Sequence, residues 1–207
     1  MLSNQLRMAR PPIQVISTIA GTGITSGVTS VTFSGHKVGD FLLAVAGSQQ
    51  TTDPTFTSGW TKILNAIGNT GTRIVIAVYK IATSTASDTV TFTGTGTSAT
   101  VYSTGMIARN VSGVGTTFSL SSSSVATTSF STPTIQAADR SGRSLIVWSH
   151  FNQTTTNISG TPTVTTMPNV TYPAYGAYLL KTLEWTVRTV TLSANSSPIG
   201  VLIELKN

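Results

Sequence analysis

Six carboxylates and two histidines are all that this 207-residue chain offers for acid–base chemistry. The acids are Asp40, Asp53, Asp88, Asp139, Glu184 and Glu204. Glycoside hydrolysis needs two of them facing each other across a cleft. Asp40, Asp88 and Asp139 stand beside Gly39, Ser87 and Arg140 at expected turns, where aspartate caps local backbone. Asp53 precedes Pro54, and Glu184 and Glu204 are expected near strand ends or on exposed faces. His36 follows Gly35 in a turn, and His150 ends an apolar run. A zinc site needs further ligands, yet there is no His-x-His or His-Glu-x-x-His spacing and no cysteine. No Gly-x-Ser-x-Gly elbow marks a nucleophile. Gly21-Thr22-Gly23 and Gly94-Thr95-Gly96 open no helix and lack a following Lys-Ser or Lys-Thr, so they read as turns and not as phosphate loops. The residues therefore point to a protein with no catalytic centre, no metal and no cofactor.

The aromatic residues suggest binding before they suggest catalysis. Trp148 lies inside an apolar run and is expected in the core, and Trp60 is expected beneath a loop. Tyr172 and Tyr175 bracket Pro173, and Trp185 follows ten residues later. Exposed, Tyr172, Tyr175 and Trp185 would make a surface patch suited to stacking on sugars.

These residues must be carried by strands. The chain has 39% hydrophobic and only 9% charged residues, against about 25% charged in typical domains. Threonine and serine take the place of charges, and β-branched threonine suits a pleated strand. A surface rich in hydroxyls and poor in charge sheds water easily and suits a protein packed against neighbours. The net charge of +6 comes from scattered lysines and arginines and not from a basic run; it argues against specific nucleic-acid binding. No segment reaches the ~20 apolar residues that span a membrane. The apolar stretch after Pro11-Pro12 is short and interrupted by Gln14, Ser17 and Thr18, a poor export signal.

Residues 1–12 read as an extended N-terminal arm ending in a proline pair. A terminal arm stays ordered only when tied down, so this one is expected to dock on the body or on a neighbour. Arg7, Arg10, Pro11 and Pro12 are its candidate docking residues. Residues 13–207 read as one β-sandwich domain in two pseudo-repeated halves, about 13–111 and 112–207. Gly39-Asp40-Phe41-Leu42-Leu43-Ala44-Val45 echoes Gly142-Arg143-Ser144-Leu145-Ile146-Val147-Trp148, and Thr89-Val90-Thr91-Phe92 echoes Thr189-Val190-Thr191-Leu192. Strands are expected over 13–20, 28–34, 41–47, 61–66, 73–82, 89–93 and 100–110, then over 144–151, 163–167, 175–182, 187–193 and 199–206. Residues 112–131 are rich in serine, threonine and glycine, and Phe118, Leu120, Val125 and Phe130 would anchor short strands within them. Roughly eight to ten strands with turns between them fit an all-β, jelly-roll-like sandwich.

Within residues 35–111, Gly39–Val45, Gly59-Trp60-Thr61, Tyr79-Lys80-Ile81-Ala82 and Thr89-Val90-Thr91-Phe92-Thr93-Gly94 together resemble the jelly-roll structural proteins of tailed bacteriophages. The second half resembles them more weakly. The resemblance implies a virion location, partners among the major capsid protein or other virion subunits, and a homo-oligomer such as a trimer at a symmetry axis. It implies no catalytic residues.

The leading expectation is a non-enzymatic capsid decoration or cement protein. It would stiffen a shell through repeated contacts, each burying on the order of 1,200 Å² or more. The alternative is a tail or receptor-binding module that recognises host glycan through Tyr172, Tyr175 and Trp185.

Overall fold

The computed structural model describes residues 10–22, 27–50, 52–68, 73–94, 101–120, 127–138, 143–151, 155–160, 163–167, 174–182, 184–196 and 199–207. Among them there is no helix, and every strand pairing is antiparallel. The chain is all-β.

The first half carries eight strands: β1 (Gln14–Ala20), β2 (Val28–Phe33), β3 (Phe41–Ser48), β4 (Thr55–Phe56), β5 (Thr61–Ile67), β6 (Ile74–Ile81), β7 (Asp88–Thr93) and β8 (Val101–Arg109). The second carries ten: β9 (Gly113–Leu120), β10 (Thr127–Ser131), β11 (Ile135–Gln136), β12 (Ser144–Phe151), β13 (Thr155–Ser159), β14 (Thr165–Met167), β15 (Ala174–Thr182), β16 (Glu184–Trp185), β17 (Thr189–Ser196) and β18 (Ile199–Lys206). This exceeds the expected eight to ten in part because β4, β11, β13 and β16 are short, and runs of two to five residues leave little periodicity to read.

The repeat is carried by topology. The first half pairs β1-β8-β3-β6-β5 in one sheet and β2-β7-β4 in another. The second pairs β9-β18-β12-β15-β14 and β10-β17-β13, with β11-β16 added. Each strand of the first half thus has a counterpart in the same place in the second.

Each half is itself a two-layer sandwich, so the molecule has four layers and not two. Strand alternation sends neighbouring residues to opposite faces. In β3, Phe41, Leu43 and Val45 point into a central core, and Leu42, Ala44 and Ala46 point into an outer core beneath β2 and β7. In β12, Leu145 and Val147 face the central core, and Ile146 and Trp148 face the outer core of the second half. The central core lies between the two five-stranded sheets, where Ile199, Val201, Ile203 and Leu205 of β18 meet Val75 and Ala77 of β6. A strand buried on both faces needs a continuous apolar run, which is why 41–47 and 144–151 stand out in the sequence.

The two halves meet by a pseudo-two-fold relation. At one edge β5 lies against β9, and at the other β14 lies against β1. Likewise β18 meets β6, β15 meets β8, and β12 meets β3. Exchanging the halves maps this set of contacts onto itself, as in an isologous dimer interface.

The residue alignment of the echo is out of register. It sets Leu42 opposite Leu145, but Leu42 faces an outer core and Leu145 the central one. A slip of one residue inverts every side chain of a strand. The alignment of β7 with β17 holds: Val90 and Phe92, like Val190 and Leu192, are all buried.

Two glycines let aromatic side chains lie flat on the central strands. A Cβ on Gly105 would stand 2.8 Å from the Phe33 ring, and one on Gly200 would stand 2.5 Å from that of Trp148. Between the halves, residues 110–112 form the whole link, with Asn110 at φ 63°. Residues 112–131 carry strands, as expected: β9 and β10 occupy most of them. Phe118 does not anchor its strand inward; it is 42% exposed.

Candidate functional site

The arm's root is built from carbonyls. Pro11 and Pro12 have no N–H to donate, so at these two positions the backbone can be held only through its carbonyls. Three distant side chains supply donors. Arg143 Nη1 donates to the Arg10 carbonyl at 2.7 Å, Asn207 Nδ2 donates to that of Pro11, and Asn110 Nδ2 donates to that of Pro12 at 2.8 Å. They come from the start of β12, the C-terminus and the link between the halves. Ile13, buried in the central core, plugs the end of the segment. An open crevice of about 230 Å³ remains, lined by Arg10, Pro11, Asn110, Val111, Ser112 and Asn207. Of the four candidate docking residues, Arg10, Pro11 and Pro12 are therefore docked on their own chain through the backbone, and all three remain solvent-exposed. Arg7 lies outside the described residues.

A second groove, of about 430 Å³, runs between β5 and β9. Both are edge strands of their sheets. Thr61, Lys62 and Ile63 line one side and Val114, Gly115 and Thr117 the other. Ile67 at the end of β5 and Phe118 on β9 are exposed.

The aromatic patch is not a platform of three. Trp185 is 0% exposed. Its register opposite Ile135 tucks it into the outer core of the second half, where its indole N–H donates to Thr132 Oγ1 at 2.9 Å. Tyr172 lies outside the described residues, as does the side chain of Tyr175, whose backbone pairs with His150 in β12. Trp148 and Trp60 are core residues, and Trp60 packs 5.4 Å from the ring of Phe33.

The described carboxylates hold structure together. Asp40 accepts Arg109 Nε and Nη2 at 2.7 Å each and the Lys37 N–H at 2.8 Å. Burial alone would raise its pKa, but the bonds from Arg109 and Lys37 and the charges of Arg109 and His36 outweigh burial and hold it below 3.8. Asp88 pairs with Lys80 and stands 3.5 Å from His36 Nε2. Asp53 pairs with Lys62 and accepts from Asn65. Glu184 accepts from Gln136. Asp139 lies outside the described residues.

Glu204 lies near the end of β18, as expected, but it is not exposed. It is 0% exposed within β18. Its Oε2 accepts the N–H groups of Thr116 (2.7 Å) and Ala138 (2.9 Å), and its Oε1 accepts Ser144 Oγ at 2.8 Å. Sequence gave no warning, since the donors are 60 to 88 residues away. A general acid needs a raised pKa; Asp40 has the opposite. Among the described residues no three of His, Cys, Asp and Glu come together to hold a metal ion.

The Asp40 geometry sets a pH dependence. A carboxylate whose folded pKa is lowered stabilises the fold above its unfolded pKa, and that stability is lost as pH falls through the folded value. Asp40→Asn is therefore expected to flatten the fall of Tm below about pH 4, read by thermal unfolding across pH 6 to 2.5. An acid limb as steep as that of the wild type would contradict this role.

The fold and these sites define a tandem β-sandwich scaffold with a clamped N-terminal segment. Compared with known proteins, the chain matches no family model, no curated protein and no solved structure.

Proposed function

We propose that this chain is a non-enzymatic structural protein of a tailed-phage virion, a decoration or cement subunit that binds the major capsid protein or its neighbours on the shell. The observation that carries the reading is the clamp on residues 10–12. Arg143, Asn207 and Asn110 fix residues 10–12 to the body, and so fix the root of a segment that carries Arg7 and would serve as a tether.

Two further features support it. In each half the strands corresponding to β1, β8, β3 and β6 lie in one sheet, and those corresponding to β2, β7 and β4 lie in the other. That order resembles a jelly roll whose fifth strand has moved across to pair with the sixth, which supports the reading. The outer face of β2 and β7 is also surfaced by paired hydroxyls: Ser30 with Thr91 at 2.9 Å and Thr32 with Thr89 at 3.0 Å. Hydroxyls that satisfy one another lose little when a neighbouring subunit displaces water. The glycan-binding reading is weaker, because Trp185 is withdrawn from its platform.

Deleting residues 1–9 tests the tether. The cut leaves the clamped carbonyls in place, so Tm is expected to stay within about 1 °C of the full chain. Affinity for shells lacking this protein is expected to fall roughly ten- to a hundredfold, the loss of one or two charge-assisted contacts. Cosedimentation with such shells measures it. Unchanged affinity would remove the tether from the account.

A further inference from the structure

Arg188 stands between β16 and β17 and is 1% exposed. Its guanidinium lies 4.8 Å from the centre of the Trp185 ring. Its backbone is fully engaged: the N–H donates to Thr132 Oγ1 at 3.1 Å, and the carbonyl accepts the Thr132 N–H at 2.8 Å. The guanidinium is not engaged. Nε, Nη1 and Nη2 are buried without a hydrogen-bond partner. No carboxylate among the described residues pairs with it.

Such an arrangement is incomplete. Burial lowers the pKa of this arginine, yet a guanidinium does not lose its proton in a protein. A buried charge is ordinarily paired and hydrogen-bonded, and stacking on an indole offsets only a small part of its lost hydration. What a planar fork of donors fits is an oxyanion, taken by two parallel N–H bonds. Gly160 covers one side of the fork. Gly160, at φ +131°, lies directly against Arg188, and a Cβ there would stand 3.1 Å from both Cγ and Nη1. Glycine is thus required by conformation and by space.

We propose that Arg188, held by Trp185 and Thr132, forms a binding site for a small oxyanion, a carboxylate or a phosphate, that reaches the guanidinium beside Gly160.

The test uses the full chain and two probes, sodium phosphate and sodium acetate, each against sodium chloride at equal ionic strength. Phosphate stabilises many proteins unspecifically, so Arg188→Met is measured in parallel. The wild type is expected to gain roughly 3–5 °C in Tm at ten times the dissociation constant of the effective anion. Arg188→Met is expected to gain no more than the chloride control, and in chloride to be at least as stable as the wild type. A response to acetate alone assigns a carboxylate site, and a response to phosphate alone assigns a phosphate site; both support the proposal. A second readout needs no variant. Titrating phosphate and acetate into the wild type is expected to shift the indole N–H resonance of Trp185 and leave those of Trp60 and Trp148 in place. Equal gains in wild type and Arg188→Met, or no anion response in either readout, would overturn the site.

Discussion

Val147→Asp is expected to abolish folding of both halves at once. Val147 projects from β12 into the central core and is 1% exposed. Across from it lie residues of the first half, with Phe41, Leu43 and Val45 of β3 in the same cluster. An isolated carboxylate forced into such a site costs several kcal/mol even after it takes up a proton, and domains are stable by only about 5–15 kcal/mol. The particular claim is that the damage crosses the pseudo-two-fold. Each five-stranded sheet covers the inner face of the other, so neither half keeps its central face dry alone. Circular dichroism should show no cooperative transition, and limited proteolysis should leave no fragment covering 13–111. A protected first half would show that the halves fold independently and that the central core is a mere contact.

Glu204→Leu is the second large effect. The carboxylate gathers N–H groups from β9 and from the segment after β11, and a hydroxyl from β12. It serves the β9 backbone where the β9–β18 ladder shifts register between Ile203 and Leu205. Leucine fills similar space but accepts nothing. Each buried donor left unsatisfied costs about 1–3 kcal/mol, so the loss is expected to be about 3 kcal/mol or more. At about 2–4 °C per kcal/mol for a chain of this size, Tm should fall by roughly 6–12 °C. Glu204→Gln keeps one acceptor and should lose less. A leucine variant as stable as the glutamine variant would mean that water or rearranged backbone serves these donors.

How much of this was legible in the sequence follows from the range of each interaction. β3, β12 and β18 are buried on both faces, so each carries a long, mainly apolar run, and two of the three were bounded in full. β13 was missed because Thr155–Ser159 is polar and short, and β9 was expected as a short strand but not bounded, because its burial is partial throughout. The repeat showed as similarity of strand order, but glycine and leucine positions invited a one-residue slip that only the cores expose. The four-layer arrangement was out of reach, since alternation tells that a strand has two faces and not what covers each. At the candidate sites the same limit applies. The Pro11-Pro12 pair announced an extended segment, yet Asn110, Arg143 and Asn207 are ordinary polar residues until the fold brings them to three successive carbonyls. Trp185 looked exposed because it lies beside Glu184, whereas pairing with Ile135 turns it inward. Arg188 carried one hint, its spacing of three residues from Trp185.

The claim at the centre of the account is that this scaffold is a repeated component of a phage shell. Quantitative mass spectrometry of purified virions, with the major capsid protein as internal standard, measures it most directly. The account predicts hundreds of copies per particle, in a fixed simple ratio to the capsid protein. A handful of copies would place the chain on a tail and favour glycan recognition. Absence from the particle would contradict the virion assignment altogether.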